Sequence, residues 1–263
     1  MWLNLARLFR YRGLIQSLVA RELKARYRGS VLGFFWSFVN PLLMLGIYTF
    51  VFATIMKSDE LRTKPYGVFM FCGILPWTWF SSSLMESSGS LISGGNLIKK
   101  VLFPAEVLPI VSVFSNMVHF LLGLPILFGF MVYQHHMPTY PGVLWFPFIV
   151  LVQLVFTLAW ALLLSALTVH FRDLRDLLSN FLTLWFFATP IIYPYFREGV
   201  KDYIGYFRWN PFYHLVVPYQ ESLFFDTFGH APSLVILCGL SMIFFLGAYW
   251  LFDRLRDSFA EVV

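Results

Sequence analysis

Residues 107–171 read VLPIVSVFSNMVHFLLGLPILFGFMVYQHHMPTYPGVLWFPFIVLVQLVFTLAWALLLSALTVHF, without one Asp, Glu, Lys or Arg. A helix crosses a bilayer's hydrocarbon core in about 20 apolar residues, so this stretch is too long for a single crossing. It breaks at Gln134-His135-His136-Met137-Pro138-Thr139-Tyr140-Pro141-Gly142, a polar turn with two prolines. Two spans joined by a short connection set the pattern for the rest. Further charge-free stretches lie at 29–56, 65–85, 177–196 and 227–252. Together they predict six helices, near 31–56, 66–88, 105–133, 143–171, 177–196 and 232–252. The expected fold is all-α and integral to a membrane.

Composition agrees. Of the 263 residues 59% are hydrophobic, 20% aromatic and only 13% charged, and the mean hydropathy is +0.70. A soluble domain is nearer a quarter charged and cannot bury so much apolar surface within itself. Cys72 and Cys238 both fall in apolar runs, where a thiol is expected to pack between helices rather than form a disulfide or bind metal. The first apolar run begins near residue 30 and is long enough to span, so no secretory signal peptide is expected.

The net charge of +5 is unevenly spread. Arg7, Arg10, Arg12, Arg21, Lys24, Arg26 and Arg28 crowd the N-terminal arm, residues 1–30. Such an arm can bind nucleic acid, but directly before an apolar run it reads better as a membrane-surface segment. Counting Lys99, Lys100, Arg172, Arg175, Arg254 and Arg256 on the same side leaves Lys57, Arg62, Lys64, Arg197, Lys201 and Arg208 on the other. The positive-inside rule then places both termini in the cytoplasm. On a helical wheel Arg7, Arg10, Arg21, Lys24 and Arg28 share one side, and Leu8, Tyr11, Ile15, Leu18 and Val19 the other. Arg12 and Arg26 do not fit, and Gly13 is a potential break.

Two connections exceed simple turns. Residues 89–104 form an inner segment with helical potential ending at Pro104. Residues 197–231, half apolar and interrupted by Pro211 and Pro218, are expected to form a pair of short helices dipping into the outer leaflet. The remaining chain, 31–263, reads as one six-helix transmembrane domain with this segment before its last span.

Ionisable side chains are scarce within the spans, which argues against catalysis and ion coupling. Glu86 and Glu106 sit near expected span ends and His119 lies deep, where it is expected to bond a neighbouring helix. A Walker A stretch is missing, so no nucleotide site is expected. Nor are catalytic residues or a metal site expected. Aromatics are abundant instead. Phe34, Phe38, Pro41, Leu45, Tyr48 and Phe52 share a face of the first span, and the fifth carries Phe181, Trp185, Phe186, Phe187 and Tyr193. Such faces can line a slippery path for sugar rings, or can pack between helices and at the headgroup belt.

Three segments together carry a family resemblance. They are Arg21–Trp36 with Asn40-Pro41-Leu42; Asn96–Pro104 with Glu106 and Leu108-Pro109; and Phe171-Arg172-Asp173-Leu174-Arg175-Asp176 with the later Trp209-Asn210-Pro211. In order, spacing and total length the chain resembles the permeases of polysaccharide-exporting ABC transporters, the group of Wzm and TagG. The Tyr27–Gly33 run is closer to the O-antigen and teichoic-acid branch than to capsule exporters. The resemblance implies a homodimer in the bacterial inner membrane, with two separate ATPase subunits that bind ATP and Mg; the permease itself holds no cofactor. It implies an interface helix in the arm and a coupling helix at 89–104, with Asn96, Lys99, Lys100 and Phe103 toward the ATPase. It implies gate helices at 197–231, and a channel lined by spans one and five, with Phe34, Phe38, Tyr48, Phe52, Trp185 and Tyr193 as candidates. The substrate class is a lipid-linked glycan, for whose diphosphate headgroup Arg21, Lys24 and Arg28 are candidates. A drug or small-lipid exporter and a membrane enzyme of glycan assembly are the alternatives.

Overall fold

The structure, a computed structural model, describes residues 10–51, 65–99, 103–138, 140–196 and 198–262. Among these residues every regular element is helical. The arm is α1 (Arg12–Arg26), which runs through Gly13 without a break. A 3-10 turn, Gly33–Phe35, leads into α2 (Trp36–Thr49). Then follow α3 (Tyr66–Ser93), the four-residue α4 (Gly95–Ile98), α5 (Val107–Tyr133) and α6 (Tyr140–His170). α7 is Leu174–Phe187. Short pieces come next: α8 (Glu198–Lys201), α9 (Ile204–Phe207), α10 (Tyr213–Gln220) and a π-helical turn, Glu221–Phe225. The last helix is α11 (Ala231–Val262).

Among the described residues four helices are long and apolar enough to cross a membrane: Tyr66–Ser93, Val107–Tyr133, Gly142–His170 and Ala231–Phe259. They lie where the charge-free stretches put them. The central one is α3, in which Val68, Phe69, Phe80 and Leu84 are wholly buried. It packs against α5, α6, α7 and α10 around rings such as Trp79 stacked on Phe120 and Phe80 stacked on Phe156.

Of the two other expected spans, one comes out differently. α2 runs on helically through Phe50 and Val51 to the limit of the described residues, and with the 3-10 turn before it the helical stretch covers 33–51. Its expected end, with Phe52, lies outside the described residues. α7 is short, 14 residues, and stops at Phe187, not at 196. Pro190 and Pro194 supply no backbone N–H and end the helix. Thr189, Pro190, Ile191 and Pro194 are nevertheless buried in a non-helical strip. Irregular backbone survives at membrane depth only where protein satisfies it, and side chains do so here. Asn210 Nδ2 donates to the Ala188 carbonyl at 3.0 Å and Gln220 Nε2 to that of Pro190 at 3.0 Å. The Tyr66 hydroxyl donates to the Ile192 carbonyl.

Two boundaries also move. α3 continues to Ser93, so its last turn takes up the start of the expected 89–104 segment. α11 continues past residue 252, carrying Arg256 to within 3.9 Å of the buried Glu106 and Ser258 to 3.1 Å from His170. The expected pair of helices in 197–231 is a succession of short pieces, of which α10 and the π turn are packed into the core.

Candidate functional site

The arm is held by its apolar side. Leu18 packs on Val107 and Val111 of α5, with Tyr11, Leu14, Ile15, Val19 and Phe103 around them. Arg21, Lys24 and Arg28, the headgroup candidates, all stand exposed on the other side. Arg26 departs from this side. Its Nη2 donates to both carboxylate oxygens of Glu86 on α3, 2.8 Å each. Asn116 of α5 donates to Glu86 Oε2 at 2.6 Å and to the Ser112 carbonyl at 2.9 Å. One turn of arm is thus fastened to two spans by a carboxylate with several donors, the arrangement that makes a partly buried charge tolerable.

Tyr27 makes a second tie. Its hydroxyl accepts from Ser37 Oγ of α2 at 2.7 Å and lies 3.4 Å from Nδ1 of His119 on α5. The deep histidine therefore bonds a neighbouring element, as the sequence led us to expect. Gly29 and Gly33 carry the chain from Tyr27 into α2 with φ of +80° and +51°, angles at which a Cβ is strained. The tight reversal lets Trp36 Nε1 donate to Ser30 Oγ at 3.0 Å. The Tyr27–Gly33 run is thus a joint between arm and bundle.

Beside the joint a cleft of about 470 Å³ opens between α2, α3 and α5. Its arm-side end is polar, with Arg26, Tyr27, Ser30, Ser37, Asn116 and His119; its deeper end is apolar, with Met44, Phe71, Ile74, Leu75 and Phe120.

The segment after α3 joins the same structure. Asn96 and Lys99 are exposed, available to a partner, while Phe103 belongs to the arm's apolar cluster and Ile98 packs near Leu91 and Phe252. Lys100 lies outside the described residues. A Cβ at Gly94 would collide with Leu108 and the Ser90 carbonyl, so glycine permits the close approach of this segment to α5. The Arg175 guanidinium lies over Gly89, bringing the start of α7 against the last turn of α3.

Of the channel candidates, Phe34 is exposed and stacks edge-on with Tyr27 and Phe38. Tyr48 packs against the core, and the outward face of α2 is Leu42, Leu43, Ile47 and Phe50. Trp185 is buried among Trp77, Phe80, Trp160 and Phe212, its Nε1 donating to Asn210 Oδ1 at 2.7 Å. Tyr193 is half-buried and donates to the Phe187 carbonyl at 2.7 Å. The outward face of α7 is Leu177, Phe181, Leu184 and Phe187.

Sequence reasoning passed over several structural keys. Asn210 also donates to Thr189 Oγ1 at 2.8 Å and accepts the Phe212 N–H at 2.9 Å, so it clamps the irregular strip to α10. Glu221, only 3% exposed, accepts from His230 Nδ1 at 2.6 Å and from the His230 backbone N–H at 3.0 Å. The Tyr213 hydroxyl lies 3.1 Å from His230 Nε2. A lone acid in the apolar run 215–225 was the available signal.

Long apolar helices on either side of buried irregular backbone, with a basic arm fastened at one end, define a multi-pass membrane protein. The chain belongs to the ABC-2 type transporter family, which it matches over residues 13–224. It is 41% identical over 259 residues, 97% of each chain, to the O-antigen export system permease protein RfbA of Myxococcus xanthus. It is 31% identical over 261 residues to a protein of the same name from Klebsiella pneumoniae, covering 99% of this chain and 97% of that one. The polysialic acid transport protein KpsM of Escherichia coli is 23% identical over 242 residues, 87% of this chain and 88% of that one. The chain is accordingly a transporter permease and not an enzyme.

Proposed function

We propose that this chain is the membrane permease of an ABC exporter that moves a lipid-linked polysaccharide, O-antigen or a related glycan, from cytoplasm to periplasm. The observation that carries this reading is the near full-length similarity to O-antigen export permeases. ATP hydrolysis takes place in separate subunits, two per transporter, which bind ATP and Mg; the permease contributes no cofactor.

The geometry supports the rest. The basic arm end lies in the cytoplasm of a bacterium with the spans in its inner membrane, which follows the positive-inside rule. Exposed Asn96 and Lys99 offer contacts to the ATPase, and the arm meets the same segment through Phe103. A push on either is carried to α3 and α5 through Arg26, Glu86 and Asn116. The outward faces of α2 and α7 are apolar and uncovered among the described residues. They fit a second copy and the channel between the two, with Phe181 and Phe187 beside the sugar rings. The buried strip after α7 and α10 form the gate.

Clean deletion tests the proposal. Lipid-linked glycan should accumulate on the cytoplasmic leaflet and surface glycan should be lost. Normal surface glycan in a strain with no second permease would refute it.

A further inference from the structure

We propose that the cleft between α2, α3 and α5 holds one membrane glycerophospholipid with an amine-bearing, zwitterionic headgroup, as a resident lipid distinct from the exported one. The inference rests on the spans crossing a membrane and on no property of the exported glycan.

The cleft has the polarity of a lipid in its leaflet. Arg26, Tyr27 and Ser30 stand at the end of the arm where α2 begins, and Arg26 and Tyr27 reach Asn116 and His119, about three turns into α5. Met44, Phe71, Ile74 and Leu75 lie further along the same spans, toward mid-membrane. A headgroup at the first set leaves one acyl chain beside the second. Its volume, about 470 Å³, is within the usual range of small-molecule sites (~300–1,000 Å³). It admits a headgroup and part of one chain, while the second chain stays in the bilayer.

The charges at the polar end select the headgroup. Arg26 and Glu86 face each other and the carboxylate of Glu22 also acts on Glu86, so the site carries no excess of positive charge. Arg26 Nη1 makes only a long contact, 3.4 Å, to Asn116 Oδ1 and has donor capacity left for a phosphate oxygen. Among the described residues Glu86 Oε1 accepts from Arg26 alone, whereas Oε2 accepts from both Arg26 and Asn116. Glu86 does not itself line the cleft but stands one helical turn from Ser82, which does, so an ammonium group at the far end of the headgroup has its place at Oε1. A purely anionic headgroup would bring its phosphate against Glu86 with nothing to balance it. The other wall helps entry. α2 keeps only Ser37 and Leu45 buried, so it stands against its neighbours loosely enough for a chain to pass.

The test uses the full chain in phosphatidylcholine nanodiscs containing a small fraction of phosphatidylethanolamine or phosphatidylglycerol, each with a diazirine midway along one acyl chain. After irradiation, labelled peptides are mapped by mass spectrometry. The phosphatidylethanolamine probe should label residues 40–44 and 71–79 about fivefold more than the phosphatidylglycerol probe. Met44→Trp, at an exposed position that lines the cleft, should cut that labelling about fivefold, and Ile243→Trp, exposed on α11 and outside the cleft, should leave it unchanged. Glu86→Gln should abolish the preference between the two probes. Three results would overturn the proposal: equal labelling by both probes, labelling indifferent to Met44→Trp, or displacement of the probe by a polyprenyl diphosphate, which would assign the cleft to exported lipid.

Discussion

Removing Arg26 or Glu86 should loosen the arm before it harms the bundle. In the pair the side chains are 28% and 36% exposed, so water screens them in part. An exposed ion pair is worth about 0.2–1 kcal/mol and a hydrogen bond to a charged group about 1.5–3 kcal/mol. At intermediate exposure we expect a coupling near 1 kcal/mol, the top of the first range and just under the second. Asn116 adds little to the loss, because its Nδ2 keeps the Ser112 carbonyl at 2.9 Å. Arg26→Ala and Glu86→Ala should each lower the melting midpoint of the purified protein by roughly 2–4 °C. The double variant should be scarcely worse than either single one, since the interaction is lost only once. Export per ATP hydrolysed should fall in both single variants, and the exchanged pair Arg26→Glu with Glu86→Arg should recover part of it. Strict additivity of the two single variants, with unchanged export in each, would refute the reasoning.

Three other substitutions probe the frame around the site. Glu221→Ala leaves the half-buried His230 N–H and its Nδ1 donor without their acceptor, and should cost about 1–3 kcal/mol, read as a lower melting midpoint. Asn210→Ala removes the acceptor of Trp185 Nε1 and the donor to Ala188 and Thr189. It should destabilise by about 1–3 kcal/mol and raise protease access to the 187–196 strip, whereas native-like cleavage would show that the strip holds without it. Gly94→Val should push α4 off α5, where Leu108 and the Ser90 carbonyl leave no space for a Cβ. ATPase-coupled export should then drop at least tenfold while membrane insertion, measured by fractionation, persists.

Much of the architecture was legible because lipid imposes it. A long charge-free run has few homes in an aqueous protein, and Val107–Tyr133 and Tyr140–His170 fall on either side of the turn read at 134–142. The arm's amphipathic pattern likewise located Tyr11, Ile15, Leu18 and Val19 on the side that packs. Reading α7 to residue 196 failed because hydropathy records a preference for the apolar phase and is silent on backbone hydrogen bonds. The strip at 188–196 is apolar enough for a span, yet its prolines break the helical ladder, and Asn210, Gln220 and Tyr66 satisfy what remains. Arg26 was illegible for a related reason. On a wheel it is a charge off its proper side; only the fold brings Glu86, 60 residues away, to meet it.

The sequence by itself determined that the chain lives in a membrane, how its apolar stretches divide and which end bears the positive charge. Each of these depends on transfer between water and lipid, an additive property of residues along one segment. The tertiary structure alone decided which polar groups meet. The joint of Arg26 with Glu86 and Asn116, the clasp of Glu221 with His230 and the cleft beside Tyr27 depend on distances between side chains far apart in the chain. Hydrogen bonds and ion pairs are short-ranged and directional, so their partners exist only once the helices have packed.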